Sequence, residues 1–171
     1  LDETPEALDT IVKSGRARYI GVSNFMAWRL ARMIGRAELL RLAKPVSVQP
    51  RYSLLFREIE RELLPLAESE GLGVIPYNPL AGGLLTAKYR AGDAPADGTR
   101  FTLGTAGGMY QDRYWNERCF AAVGQLRALA DEAGLPLATL AVAWVMAQPA
   151  ITAPILGASR PDQLDATIAA A

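Results

Sequence analysis

An α/β fold built on a parallel sheet follows from three features of the 171-residue chain. Short apolar runs alternate with amphipathic helical stretches along its whole length, the alternation that strand–helix–strand units require. The runs are apolar throughout, as expected of strands covered on both faces. Half of the residues are hydrophobic and 21% are charged, the balance of a globular protein. That composition excludes a disordered chain, a collagen-like repeat and a disulfide scaffold.

Thr4 is expected to cap a first helix, with Pro5 at its first position. Leu8, Ile11 and Val12 form its apolar stripe, and Gly15 is the stop. Residues 19–22 form the first strand. A second helix starts at about Ala27, with Leu30, Ala31, Ile34 and Ala37 on one face. Residues 46–49 are the second strand, ended by Pro50. Ile59, Leu63 and Leu66 keep helical spacing, and Pro65 either kinks that helix or opens a new one before Gly71 closes it. Residues 73–77 form the third strand.

A Gly/Pro-rich loop is expected over 78–114, long enough to serve as a lid. Phe120, Val123, Leu126, Ala130 and Ala133 then make one face of a helix that Gly134 ends. A further helix over 138–148 is apolar nearly all round and should be buried, with Trp144 and Met146 in the core and Cys119 as a small core residue nearby. Residues 153–156 are a fourth strand, and Pro161 and Asp162 start a last helix. Four parallel strands with outer helices suit either a small open sheet or half of a (β/α)8 barrel, whose full ring takes ~250 residues. Periodicity leaves both open.

Eighteen basic and 18 acidic residues give a net charge of zero, so no electrostatic footprint for nucleic acid is present. The most apolar stretch, 137–147, is shorter than the ~20 residues a bilayer requires, and no membrane partner is expected. A single cysteine permits no internal disulfide and suits a reducing compartment. With no basic and apolar leader after Leu1, a cytoplasmic location is expected. Histidine is absent, which removes the imidazole as base, nucleophile partner or metal ligand, and no metal site is expected.

In either architecture the chemistry sits at the carboxyl ends of the strands. Ser23 and Asn24 follow the first strand, Gln49 ends the second, and Tyr77 and Asn78 end the third ahead of Leu80, Ala81, Gly82 and Gly83. Gly157, Ala158, Ser159 and Arg160 follow the fourth and lead into a helix start, where free amides would favour a phosphate. Amides, hydroxyls and glycine backbone dominate this set, with Lys88, Arg100 and Arg160 nearby and no carboxylate at the strand ends. Such groups hold an anionic, amide-bearing ligand. No acid, base or nucleophile stands out, so no catalytic residue is assigned.

Arg18-Tyr19-Ile20-Gly21-Val22-Ser23-Asn24-Phe25 is similar to the strand-and-turn signature of the aldo-keto reductases, and Val48-Gln49-Pro50-Arg51-Tyr52-Ser53-Leu54 to that family's next strand. Pro76-Tyr77-Asn78-Pro79-Leu80-Ala81-Gly82-Gly83-Leu84-Leu85-Thr86 resembles the third and Pro154-Ile155-Leu156-Gly157-Ala158-Ser159 the last. They occur in family order and spacing over essentially the whole chain, and the subgroup looks like the bacterial reductases related to potassium-channel β subunits.

The resemblance implies the C-terminal half of a (β/α)8 TIM barrel that binds NADP(H) and acts on a small carbonyl substrate. By position, Ser23, Asn24 and Gln49 would hydrogen-bond the nicotinamide carboxamide, and Tyr77 would stack on its ring. Asn78, Pro79, Leu80, Ala81 and Gly82, with Lys88 and Arg100, would line the pyrophosphate channel. Gly157, Ser159 and Gln163 would hold the adenosine end with its 2′-phosphate. Where the family often has a Glu-Asn pair for adenine, Ala166 and Thr167 stand here. The family's catalytic Asp, Tyr, Lys and His lie upstream of a segment like Leu1-Asp2-Glu3-Thr4. Residues 1–171 are therefore expected to be one partial domain, cut at the N-terminus and shortly before the C-terminus, inactive alone and needing an N-terminal half-barrel to close the fold.

Overall fold

The structure, a computed structural model, describes residues 3–171; Leu1 and Asp2 of the segment expected to follow the catalytic groups lie outside the described residues. The chain divides into two compact units. The first takes in the described residues to Arg51, then Glu58–Tyr77 and Pro149–Ala153. In chain order it contains α1 (Glu3–Lys13), β1 (Gly21–Ser23), α2 (Ala27–Leu40), β2 (Ser47–Gln49), α3 (Leu63–Glu70) and β3 (Gly73–Val74).

The three strands form a parallel sheet in the order β1-β2-β3, with Val22 opposite Val48 and Val48 opposite Val74. These three valines are buried, as double-sided cover demands. Gly21 has to be glycine, because a Cβ there would come within 3.1 Å of the Ser47 carbonyl oxygen as well as meeting its hydroxyl. The strands are shorter than their apolar runs.

α1 begins at Glu3, so Thr4 lies inside the helix and is not its cap. Pro5 still falls in the first turn, where its missing N–H leaves no bond unmade. Gly15, at φ 73°, ends the turn that follows. On α2 the buried face is Leu30, Met33, Ile34 and Ala37, the i, i+3, i+4, i+7 set, and Ala31 is exposed. Pro65 is the third residue of α3 and opens that helix without kinking it, and Gly71 caps it at φ 65°.

Asp9 on α1 ties the first unit together. Its side chain is buried, accepts from the Ala43 amide at 2.9 Å and meets Lys13 Nζ at 2.7 Å. The Lys13 hydrogen bond, and then the Ala43 amide, hold its carboxyl below the usual range. A depressed folded value means that this stabilisation is present above the ordinary carboxylate pKa and fades as pH falls through the lower one. In the whole protein Asp9→Asn should lower the melting temperature at neutral pH, and the gap to the unmutated protein should close below about pH 4. Thermal melts of both across pH 2–7 check this; a constant gap would remove the assignment.

The expected fourth strand over 153–156 does not form. Thr152 reaches the outer edge of β3, donating its amide to the Val74 carbonyl at 2.9 Å and accepting the Val74 amide on its hydroxyl at 3.1 Å. Pro154 has no N–H to continue a ladder. A backbone bond and a side-chain bond from Thr152, with Ile155 as a lone bridge residue, stand in place of the strand.

The second unit comprises Tyr52–Arg57, Asn78–Gln148 and Pro154–Ala171. Its helices are α4 (Ala106–Tyr114), α5 (Glu117–Glu132), α6 (Leu137–Met146) and the short α7 (Asp165–Ile168). The segment 78–114 is not a structureless loop, since it holds a tight helical turn at Ala81–Thr86 as well as α4. Phe101, fully buried, organises it: Trp115 stands edge-on at 4.7 Å and Tyr89 at 5.3 Å, and Trp115 meets Phe120 at 5.2 Å. These rings pack with Ala81, Leu84, Leu85, Tyr114, Val123, Ala130, Leu137 and Ala141 into one apolar core.

α5 is capped by Asn116, whose side-chain oxygen accepts from the Cys119 amide at 3.0 Å. Cys119 is half-buried, and burial pushes its thiol pKa up. α6 buries Leu137, Thr139, Ala141, Val142 and Val145. Trp144 packs on Tyr52 at 5.3 Å, whereas Met146, the last helical residue, faces solvent instead of joining the core. Thr139 donates its hydroxyl to the Ala166 carbonyl at 2.5 Å and so fixes α7. No single helix among the described residues is long and apolar enough to cross a membrane. Among the same residues no cluster of His, Cys, Asp and Glu could hold a metal ion.

Candidate cofactor site

In the first unit the strand ends gather four of the expected residues. β1 ends on Ser23, in register with Gln49 at the end of β2. The Ser23 hydroxyl donates to the Gln49 carbonyl at 2.8 Å, and the Asn24 amide reaches the same oxygen at 3.2 Å. Asn24 takes a left-handed conformation, φ 55°, which asparagine tolerates better than other side chains. Chain direction turns there, and its carboxamide accepts the Tyr77 hydroxyl at 3.0 Å. Tyr77 extends the pairing pattern opposite Arg51 and donates its amide to the Pro50 carbonyl at 2.9 Å. Ser23 and Asn24 are exposed, and Gln49 and Tyr77 half-buried. The result is a set of hydroxyl and carboxamide groups beside one aromatic ring.

In the second unit the chain continues into a strained turn. Asn78, Ala81, Gly82, Gly83 and Ala87 all have positive φ, at 65°, 51°, 71°, 97° and 57°. Left-handed backbone in residues other than glycine costs about 1–2 kcal/mol each, and such strain concentrates at ligand sites. Pro79 and Ala81 are buried beneath the turn and Leu80 half-buried. A Cβ on Gly82 would lie 2.9 Å from the Tyr110 ring and 3.2 Å from Phe101, so only glycine fits. A Cβ on Gly83 would stand 3.8 Å from the Tyr89 hydroxyl and 3.9 Å from Lys88 Nζ, in ordinary van der Waals contact with both. Arg100 stacks over the Tyr110 ring at 5.6 Å, on the aromatic that abuts Gly82. Thus Asn78, Gly82, Gly83, Lys88 and Arg100 form one cluster.

Ser159 and Gln163 make a separate cluster, whereas nothing lies within 4 Å of a Cβ placed on Gly157. Ser159 donates its amide and its hydroxyl to the Gln163 side-chain oxygen, at 2.9 and 3.2 Å. Arg160 makes a two-pronged ion pair with Asp162, both bonds 3.1 Å, which holds the Asp162 carboxyl below and the guanidinium above their usual ranges. The helix expected behind Gly157 is a three-residue turn, Pro161–Gln163, followed by the four residues of α7, so its end carries little dipole. Ala166 and Thr167 are structural here, since Ala166 accepts from Thr139 and the buried Thr167 bonds the Leu164 carbonyl. Sequence reasoning missed Tyr110 and Tyr114, which support the glycine turn from α4; no local spacing marks a contact 36 residues away.

An aldo/keto reductase family model matches residues 1–171. The chain belongs to the aldo/keto reductase family. Among curated relatives, this aldo/keto reductase chain is 42% identical over 169 residues to an uncharacterized oxidoreductase, YrpG, of Bacillus subtilis, covering 99% of the chain and 48% of that protein. It is 35% identical over 165 residues to a probable voltage-gated potassium channel subunit beta of Arabidopsis thaliana, covering 96% and 50%. With L-glyceraldehyde 3-phosphate reductase of Escherichia coli it shares 34% identity over 173 residues, covering 99% and 49%. The chain spans about half the length of the curated relatives it matches.

Proposed function

We propose that the whole protein is an NADP(H)-dependent oxidoreductase that reduces an aldehyde or ketone, and that this chain supplies the cofactor-holding half of its (β/α)8 barrel. The observation that carries the reading is the glycine turn: Lys88 packs beside Gly83, and Arg100 is stacked on Tyr110, whose ring abuts Gly82. Two exposed cations flanking a glycine turn suit an anionic group such as a diphosphate. When bound, the nicotinamide supplies or accepts the hydride.

This chain's residues bind and orient. Ser23, Asn24 and Gln49 offer the donors and acceptors that a carboxamide needs. Tyr77, tethered to Asn24, offers a fixed ring for stacking. Lys88 and Arg100 neutralise the diphosphate, with Pro79, Leu80, Ala81 and Gly82 forming the wall under it. Gly157, Ser159 and Gln163 take the adenosine end, with Arg160 available to a 2′-phosphate that outcompetes the exposed Asp162 carboxylate. General acid and base groups come from the rest of the barrel, an N-terminal half that closes the sheet. A second reading, a cofactor-sensing subunit without turnover, is favoured by the likeness to the Arabidopsis potassium channel subunit beta.

Binding separates these readings from a protein that uses no nicotinamide cofactor. The whole protein should bind NADPH more tightly than NADH in fluorescence titrations, and the difference should shrink as salt rises, because the extra contacts are charged. Equal affinities without salt dependence would remove the 2′-phosphate assignment. NADPH binding without carbonyl reduction would favour the sensing subunit.

A further inference from the structure

We infer that Asn78 and Tyr114 form a clasp that shapes the glycine turn before any ligand arrives, so that Asn78 is a positioning residue and not itself a ligand. This rests on the proposed cofactor reading. The Asn78 carboxamide is spent on the protein at both ends. Its oxygen accepts the Gly82 amide at 2.7 Å, and its nitrogen donates to the Tyr114 hydroxyl at 2.9 Å. Tyr114 is the last residue of α4 and fully buried, so it is a rigid anchor. The bond closes a span of 36 residues, the whole of the segment that carries Lys88 and Arg100.

The turn itself explains why a clasp is required. The Ala81 amide donates to the Asn78 carbonyl at 3.0 Å and the Gly83 amide to the Leu80 carbonyl at 2.9 Å. With Gly82 donating to the Asn78 side chain, three successive amides are satisfied internally. An anion would therefore meet Lys88 beside Gly83 and not the glycine N–H groups, and the turn that seats Lys88 must be held against left-handed strain at Asn78 and Ala81. α4 is fixed in turn by Gln111, whose side chain donates to the Phe101 carbonyl at 2.6 Å, and by Gly107, where a Cβ would strike that same carbonyl oxygen at 2.8 Å. Asn78 thus transmits the position of α4 to the glycine turn.

The test is Tyr114→Phe in the whole protein, which deletes one acceptor and keeps the ring. In the ligand-free protein, amide exchange at Gly82 and Gly83 should quicken by about threefold to tenfold, the effect of one lost hydrogen bond. NADPH affinity should fall by a similar factor, while adenosine 2′,5′-bisphosphate, which lacks the bridging diphosphate, should bind as before. A merely structural role would not split the two ligands. Unchanged exchange and unchanged NADPH affinity would overturn the clasp, as would equal losses for both ligands. Faster exchange in a protein that binds neither ligand would uphold the clasp and overturn the cofactor reading instead. If Tyr114→Phe does not accumulate, Asn78→Ser, whose side chain is too short to span to Tyr114, carries the same measurements.

Discussion

Expressed alone, residues 1–171 should oxidise no NADPH and should dimerise or aggregate. The sheet order is β1-β2-β3, so β1 has a partner strand on one side and none on the other among the described residues. An open edge offers unpaired N–H and C=O groups to any other strand. Next to it Tyr19 is 73% exposed and, ahead of β2, Val46 is 45% exposed. Co-expression with the rest of the proposed barrel should restore solubility and NADPH-dependent carbonyl reduction. Sedimentation and NADPH oxidation check this: a stable monomer would defeat the folding argument, and turnover by the chain alone the catalytic one.

Tyr77→Ala should weaken NADPH binding to the whole protein by about 1–3 kcal/mol, the scale of stacking a base on an aromatic side chain. That is roughly a tenfold to hundredfold rise in Kd. The ring is half-buried and fixed from two sides, its hydroxyl on Asn24 and its amide on Pro50. Tyr77→Phe keeps the stacking surface and should lose far less. Fluorescence titration of both variants decides between ring and hydroxyl, and an unchanged affinity in Tyr77→Ala would remove the stack altogether.

The alternation of elements was legible because it is local: apolar runs found β1 to β3, and glycines at positive φ found the ends of α1 and α3. The fourth strand was misread because an apolar run of the right length carries Pro154, while Thr152 completes the edge of β3 with a side-chain bond that no periodicity encodes. Met33 and not Ala31 lies on the buried face of α2; both are apolar and 3.6-residue spacing alone separates them. At the candidate site the grips were legible as residue types at strand ends. Their supports were not. Asn78 is indistinguishable in sequence from a ligand, and its dependence on Tyr114 arises from packing of α4 around Phe101.

Amide hydrogen exchange of the whole protein with and without NADPH reads every proposed contact in one experiment. Protection on binding is expected at residues 23–24, 49, 77–83 and 157–163, with little change on the outer face of α2. Protection elsewhere, with those four segments exchanging as in the free protein, would contradict the proposed contacts.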